Sequence, residues 1–388
     1  PLPRFRGLAM SEFVSRLRDF GAMLNDWRRE LDWPLLAASA SLLIIGLIMS
    51  LAAGPPAAER LGYSNPYFFV ERQAIFALLG LIIILAVSVL PHLWIRRLAI
   101  IVFLASLMLL ALIPAFGYEV KGAQRWFRLF GFSLQPTEFV KPALIVTAAW
   151  LLEQRRQYTG VPWTSMAVGL LVLTLTFLLT QPDVGQSALL TAAFIIMFFV
   201  SGISWRWAAG LFGSGMIVSV VLYSSLEYVR SRVHRFLFAD ESGTDQIGRS
   251  LEAIKRGGLF GVGPGEGQVK RNLPEAHNDF IYAVMSEEFG FISALALIAI
   301  YAFIIWRGLR LAARLKAIDA KAAVAGLFAL FGLQAAINIA VNISLIPPKG
   351  MTLPFVSYGG TSILATALTF GFALALLRRS PSAWKGLG

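Results

Sequence analysis

Cysteine is absent from all 388 positions, which excludes disulfides, thiolate metal centres and cysteine nucleophiles and leaves no mark of redox compartment. Histidine is nearly as scarce: three residues rule out a dense imidazole-ligated site. Charged residues make up 14% of the chain against 57% hydrophobic. Several apolar stretches also reach the roughly 20 residues a spanning helix needs. The fold class expected is therefore an all-α, polytopic integral membrane protein.

About ten spans are expected, near 34–53, 73–90, 98–116, 137–152, 165–180, 184–202, 208–226, 279–305, 323–346 and 358–377. The first run ends in Leu51, Ala52, Ala53 and Gly54, small residues that mimic a signal-peptide cleavage site. More than thirty residues precede it, so it reads as an uncleaved first span, and Pro1 in place of Met reads as a truncated or processed start. Ten spans put both termini on one side, and the basic residues choose that side. Arg4, Arg6, Arg16, Arg18, Arg28 and Arg29 open the chain, and Arg378, Arg379 and Lys385 close it. Arg96, Arg97, Arg155, Arg156, Arg206, Arg307, Arg310, Arg314, Lys316 and Lys321 fall on the same side. Both termini are accordingly expected in the cytoplasm, as tails at 1–33 and 378–388 flanking a membrane domain at 34–377. The net charge of +12 is mostly this bias, which makes anionic membrane lipid the expected partner and nucleic acid an unneeded one.

The polar content of the opposite side gathers in one large extracytoplasmic loop, 227–278, before the eighth helix, with shorter loops at 117–136 and 347–357. The bases of the large loop, Arg230, Arg232, His234, Arg235, Arg249, Lys255, Arg256, Lys270 and Arg271, have no topogenic role in so long a segment. Within it, GGLFGVGPGEG at 257–267 favours tight turns and exposed amides. Such a loop can cradle phosphate oxygens, or merely turn the chain, because it lacks the Lys-Ser/Thr ending of a P-loop.

Four clusters carry candidate chemistry. LPEAHNDF at 273–280 groups Glu275, His277 and Asp279 at the mouth of a span. Residues 121–141 hold Lys121, Arg125, Trp126 and Arg128, then QPTE with Glu138 and Lys141 three apart on a helix face. A cap and local ion pair explains the pair, yet a lysine inside a span is costly for that alone. QPDVGQS at 181–187 puts Asp183 in a short external turn, as cap or as site. IPPKGMTLPFVSYGGTS at 346–362 is broken by proline and glycine and is expected to fold inward, with Lys349, Ser357, Tyr358 and Gly359 near a shared cavity; plain packing of Gly359 and Gly360 is the alternative. Gln334, Asn338 and Asn342 recur every four residues as a polar stripe suited to interhelical hydrogen bonds. Glu287 and Glu288 lie further into the eighth span, as proton relay or as structural acids with an arginine partner.

In order along the chain, Trp126 before QPTE, QPDVG, GGLFGVGPGEG, LPEAHNDFIYAVMSEEFG, Asn338 and LPFVSYGGTS together resemble the SEDS family of shape, elongation, division and sporulation proteins. The resemblance covers nearly everything after the N-terminal tail. LPEAH where the elongation branch has LPERH, with the long basic tail, resembles the cell-division branch, the elongation branch coming second. Asn278 stands where Thr is usual and Thr137 where Ser is usual, and the segment after Phe236 lacks the common Asp-Pro pair.

The resemblance implies a peptidoglycan glycosyltransferase that polymerises lipid II, the undecaprenyl-diphosphate-linked disaccharide pentapeptide, at the outer face of the bacterial cytoplasmic (inner) membrane, at the division septum. It also implies a class B penicillin-binding protein and other divisome proteins as partners, and it puts the family's aspartate at Asp279. The residues agree with that chemistry: glycosidic bond formation needs a base for the acceptor hydroxyl and positive charge for the departing diphosphate. Asp279, ordinarily ionised above roughly pH 3.9, suits the first role. Arg125, Lys141, Arg249, Lys270, Arg271 and Lys349, or a divalent cation such as magnesium or manganese on Asp279, suit the second. The candidate substrate-binding set is Trp126, Arg125, Glu138, Lys141, Asp183, Gln246, Lys270, Glu275, His277, Lys349 and Ser357. An α-linked donor giving a β-linked strand implies inversion in a single displacement. The rivals are a lipid II flippase, which needs a midplane site open to both sides, and a scaffold of the division machinery, which leaves Asp279 unexplained.

Overall fold

The structure is a computed structural model that describes residues 25–120, 123–129, 132–225, 227, 230–231, 234 and 246–378. Arg4, Arg6, Arg16, Arg18, Lys121, Arg232, Arg235, Arg379 and Lys385, on which part of the charge reading rests, lie outside the described residues, as does the segment just after Phe236.

The first seven helices are α1 (Trp33–Arg60), α2 (Phe68–Val89), α3 (His92–Phe116), α4 (Pro136–Gln157), α5 (Trp163–Thr180), α6 (Val184–Val200) and α7 (Trp205–Ser225). After the long loop's α8 (Gln246–Gly257) and α9 (Val269–Asn272) come α10 (Ile281–Ala313), α11 (Ile318–Asn342) and α12 (Gly360–Leu377). A helix stands at each expected span. Seven of them, α1, α2, α3, α5, α10, α11 and α12, are long and apolar enough to cross a membrane. Glu138, Lys141, Glu153, Arg155 and Arg156 dilute the apolar character of α4, and α6 is shorter, at 17 residues.

α11 is the hub, packing on α10, α6, α4 and α12. Close approach is possible because the chain has glycine there: a Cβ on Gly326 would meet Ile145 Cγ2 at 2.7 Å and Met197 Cβ at 2.8 Å. α11 and α12 are largely enclosed, whereas α2, α3 and α5 turn most of their surface outward. At the opposite end from the large loop, Asp32 caps α1 through the Leu35 amide at 3.0 Å and pairs bidentately with Arg307 of α10 at 2.7 and 2.9 Å.

Two features depart from the all-α expectation and the plain-loop expectation. The 117–136 connection is a three-stranded antiparallel sheet, β1 (Tyr118–Val120), β2 (Ala123–Leu129) and β3 (Phe132–Leu134), with Tyr118 opposite Trp126 and Phe127 opposite Leu134. Strands this short offer too few residues for a period of two to stand out. Thr361 ties the sheet to the start of α12, donating to the Ser133 carbonyl at 2.7 Å and accepting from the Gln135 amide at 3.3 Å. The large loop contains the amphipathic α8, which buries Ile247, Ser250, Ala253 and Gly257 at helical spacing.

After α8, the glycine-rich run plugs a break in α10. Gly290 has φ +79° and ψ 178°, which opens the helix ladder, and the freed groups bond to the loop. Phe291 N–H donates to the Gly258 carbonyl at 2.9 Å, and Val262 and Gly263 N–H donate to the Glu287 and Glu288 carbonyls at 3.0 and 3.1 Å. At the contact a Cβ on Gly257 would sit 1.8 Å from the Ser286 carbonyl oxygen. Gly257→Ala is therefore expected to destabilise the protein by about 1–3 kcal/mol, read as a lower melting temperature in detergent. Gly160→Ala, which meets nothing within 4 Å, should leave the melt unchanged.

Candidate functional site

Asp279 lies in the turn that leads into α10, and the backbone holds it there. Glu275 adopts φ +56°, and its carbonyl accepts from the amides of Asn278 at 3.0 Å and Phe280 at 3.3 Å. The polar stripe of α11 grips the next carbonyl: Asn338 and Asn342 both donate their side-chain amides to the Asp279 main-chain oxygen, at 2.9 and 3.0 Å. Asn342 Oδ1 accepts from the Ala283 amide at 3.1 Å, so the same side chain aligns the first turn of α10.

The 346–359 loop closes over this turn. Asn338 donates to the Met351 carbonyl at 2.6 Å and Gln334 to that of Thr352 at 3.2 Å. Ser357 donates to the Asn278 carbonyl at 2.5 Å, and the Tyr358 amide donates to that of His277 at 3.0 Å. Gly350 comes so near that a Cβ on it would stand 3.8 Å from Asp279 Oδ2.

Beside the turn opens a cavity of about 270 Å³, walled by Trp126 of β2, Glu138 of α4, His277 and Asn278 of the turn, Tyr358 of the loop and Arg72 of α2. Asp279 adjoins this wall through Asn278 and Gly350. His277 is buried against Phe69, ring centroids 4.6 Å apart, with Tyr358 at 5.7 Å. Beneath the cavity floor Lys141, 1% exposed, spans Glu138 at 3.0 and 3.1 Å, Gln186 at 2.8 Å and Gln334 at 3.2 Å. A buried ammonium with four oxygen contacts and an adjacent carboxylate is a compensated charge. Lys141 therefore holds Glu138 in place from below, and Glu138 is the member of the pair that reaches the cavity.

The other candidates fall into supporting positions. Arg125 donates to the carbonyls of Gln181 at 2.9 Å and Pro182 at 2.8 Å, with Asp183 Oδ2 3.7 Å from its guanidinium, and so fastens the QPD turn. Asp183 caps α6 through the Gln186 amide at 3.4 Å. Burial pushes its carboxyl above the ordinary value, opposed by Arg125 and by the capping amide. Lys349 packs its stem on that turn, its Cδ 3.4 Å from where a Gly185 Cβ would lie. Gln246 begins α8 and Glu275 shapes the turn; neither is among the residues of the cavity wall.

The glycine-rich segment holds no open phosphate cradle at its C-terminal end. Its Gly265 amide reaches Glu288 at 3.0 Å, and the amides that follow it, of Gln268, Val269 and Lys270, reach Glu287 at 2.8, 2.9 and 3.2 Å. Lys270 is buried and ion-paired with Glu288, donating also to the Ala52 carbonyl at 2.9 Å. The glutamates are thus structural acids, and the partner is a lysine and a set of amides where arginine was expected.

Arg72, Gln135, Gln186 and Thr352 line the cavity and are absent from the candidate set. Arg72 did leave a signal, as a cation at the start of the second apolar run, on the side where the expected orientation puts few basic residues. Among the described residues no group of three His, Cys, Asp or Glu is placed to hold a metal ion. An all-protein cage is therefore not built here. A divalent ion on the Asp279 carboxylate, as the sequence led one to expect, would have to take most of its ligands from outside the described residues.

The fold and site define a helical membrane protein with a polar cavity at one end of the bundle, next to a backbone-clamped aspartate. The family model FTSW_RODA_SPOVE, described as cell cycle protein, matches residues 33–381, and the chain belongs to this family. It is 44% identical over 365 residues to "Probable peptidoglycan glycosyltransferase FtsW" of Caulobacter vibrioides, covering 94% of each chain. It is 37% identical to the protein of the same name from Thioalkalivibrio sp., covering 92% of each. Among solved structures it resembles a chain from "Structural coordination of polymerization and crosslinking by a peptidoglycan synthase complex", with TM-score 0.75, 28% identity and coverage of 89% of this chain and 97% of that one. It also resembles the rod shape determining protein RodA of Thermus thermophilus, with TM-score 0.66, 27% identity and coverage of 89% and 96%.

Because burial, the largest influence on Asp183, disfavours its charged form, this carboxyl binds its proton more tightly folded than unfolded; the stability this gives is fully present below the unfolded value and is lost as pH rises through the folded one. Asp183→Asn keeps a capping oxygen and removes that penalty, so at pH 7 its melting temperature should equal or exceed the wild type's. Asp183→Ala should lose about 1 kcal/mol of stability in the same melt.

Proposed function

We propose that the chain is a peptidoglycan glycosyltransferase that polymerises lipid II at the outer face of the cytoplasmic membrane during cell division. The observation that carries the reading is the clamped Asp279 turn beside the cavity of Trp126, Glu138 and Arg72. The family membership and the peptidoglycan glycosyltransferase relatives support it. In this reading α1 to α7 and α10 to α12 are ten crossings with both termini cytoplasmic, and 227–278 is extracytoplasmic. The solved relative from a peptidoglycan synthase complex supports a class B penicillin-binding protein as partner; the septum as the place of action belongs to the cell-division reading.

The chemistry is one displacement. The acceptor sugar hydroxyl attacks the anomeric carbon of the donor while Asp279 takes the hydroxyl proton; the new carbon–oxygen bond forms as the bond to the diphosphate breaks, and the diphosphate leaves with the electron pair. Attack opposite the leaving group converts an α to a β linkage, with no covalent enzyme intermediate. Asp279 must be ionised to act, and the two bonds to its carbonyl fix the main chain from which the carboxylate projects. Glu138, already balanced by Lys141, is suited to hydrogen-bonding substrate hydroxyls. A magnesium or manganese ion held by Asp279 and the diphosphate oxygens would neutralise charge on the leaving group.

The test is polymerisation of labelled lipid II by the detergent-purified protein with its penicillin-binding partner. Asp279→Asn should slow polymer formation by about 100- to 10,000-fold without lowering the melting temperature. Polymer at the wild-type rate, or a trapped glycosyl adduct on Asp279, contradicts the mechanism. Lipid II crossing vesicle membranes with no polymer formed supports the flippase instead.

A further inference from the structure

The reaction needs positive charge at the leaving diphosphate, yet most of the basic residues that the sequence offers for this are engaged elsewhere. Arg125 fastens the QPD turn, Lys141 is sealed under Glu138, Lys270 is paired with Glu288, and Arg249 donates to the Asn272 carbonyl. Among the described residues that wall the cavity the charged side chains are Glu138, neutralised by Lys141, and Arg72. Resting on the glycosyltransferase reading, we infer that Arg72 is the diphosphate-binding residue of the cavity.

Its setting suits that work. The guanidinium carbon stands 4.3 Å from the Phe68 ring centroid and 5.2 Å from that of Phe132, so two aromatic faces hold the group by cation–π attraction; its edge contacts the Tyr358 hydroxyl and keeps further N–H donors for a ligand. No carboxylate among the described residues forms an ion pair with it. The neighbouring Glu71 accepts from Asn65 at 3.0 Å, on the exposed side. Tyr358, also on the wall, feels the Arg72 charge at its hydroxyl and adds a neutral donor. Arginine presents paired N–H groups that match two phosphate oxygens, and an apolar surround strengthens the bond. Phe76 and Phe132 continue the wall as an apolar surface next to the cation, which fits a diphosphate ester carried on a prenyl chain.

The test uses the full chain in detergent and farnesyl diphosphate as the probe, with binding measured by calorimetry and lipid II polymerisation measured separately. Arg72→Ala should weaken farnesyl diphosphate binding by about tenfold or more and flatten its salt dependence, with Arg72→Lys intermediate because it keeps the charge without the fork. Arg72→Gln, whose shorter neutral stem still enters the space between the rings, carries the test if the alanine variant does not fold. Unchanged affinity in a variant that melts like the wild type overturns the assignment. Phosphatidylglycerol displacing the probe as well as farnesyl diphosphate itself also overturns it, in favour of a phospholipid headgroup site. Arg72-dependent binding in a protein that makes no polymer keeps this site and removes the polymerase reading; polymer with binding indifferent to Arg72 does the reverse.

Discussion

The rest of the site depends on one main-chain oxygen. The Asp279 carbonyl sits at a helix start, where amides and not carbonyls usually lack partners, and it receives two side-chain amides from the adjacent helix. Each of those asparagines does a second job: Asn338 holds the Met351 carbonyl, and Asn342 accepts from Ala283. The aspartate turn, the start of α10 and the 346–359 loop are thereby tied to a single helix, α11, which is also the hub of the bundle. In a medium without water, such bonds persist because the freed groups have no other partner. The carboxylate is left on a fixed backbone next to the residues of the cavity wall, as the proposed general-base role requires.

Around this centre, charges are buried in compensated sets. Lys141 with Glu138, and Lys270 with Glu288, each remove an ammonium from water only in company with carboxylate and carbonyl oxygens. The two pairs differ in consequence. The first stands under the cavity and presents Glu138 to it, whereas the second locks the glycine-rich loop into the break at Gly290. One motif thus serves the site and the other serves the scaffold that aims Asp279.

Much of this was legible in the residues. The apolar runs mark the helices, seven of them long and apolar enough to cross a membrane, and the four-residue spacing of Gln334, Asn338 and Asn342 correctly indicated one bonding face. Asp279 at the foot of a span, and a broken loop folding inward, also read directly from sequence; of the four residues expected near a shared cavity, Tyr358 and Gly359 line it and Lys349 and Ser357 do not. What could not be read was which charge answers which. Glycine-rich amides and nearby glutamates suit each other as well as they suit phosphate, and only the fold brings Glu287 to the amides of 268–270. Arg72 escaped for the same reason: two hundred residues of chain separate it from His277 and Asn278, which share its cavity. The small sheet was hidden by its brevity.

The central claim is that Asn338 acts on catalysis through Asp279 and not separately. A double-mutant cycle on lipid II polymerisation, with Asn338→Leu, Asp279→Asn and the pair, measures this directly. The account predicts that Asn338→Leu slows the wild type by about tenfold or more but slows the Asp279→Asn background hardly at all. Equal slowing in both backgrounds would show that the clamp and the carboxylate work independently, and the account would fail.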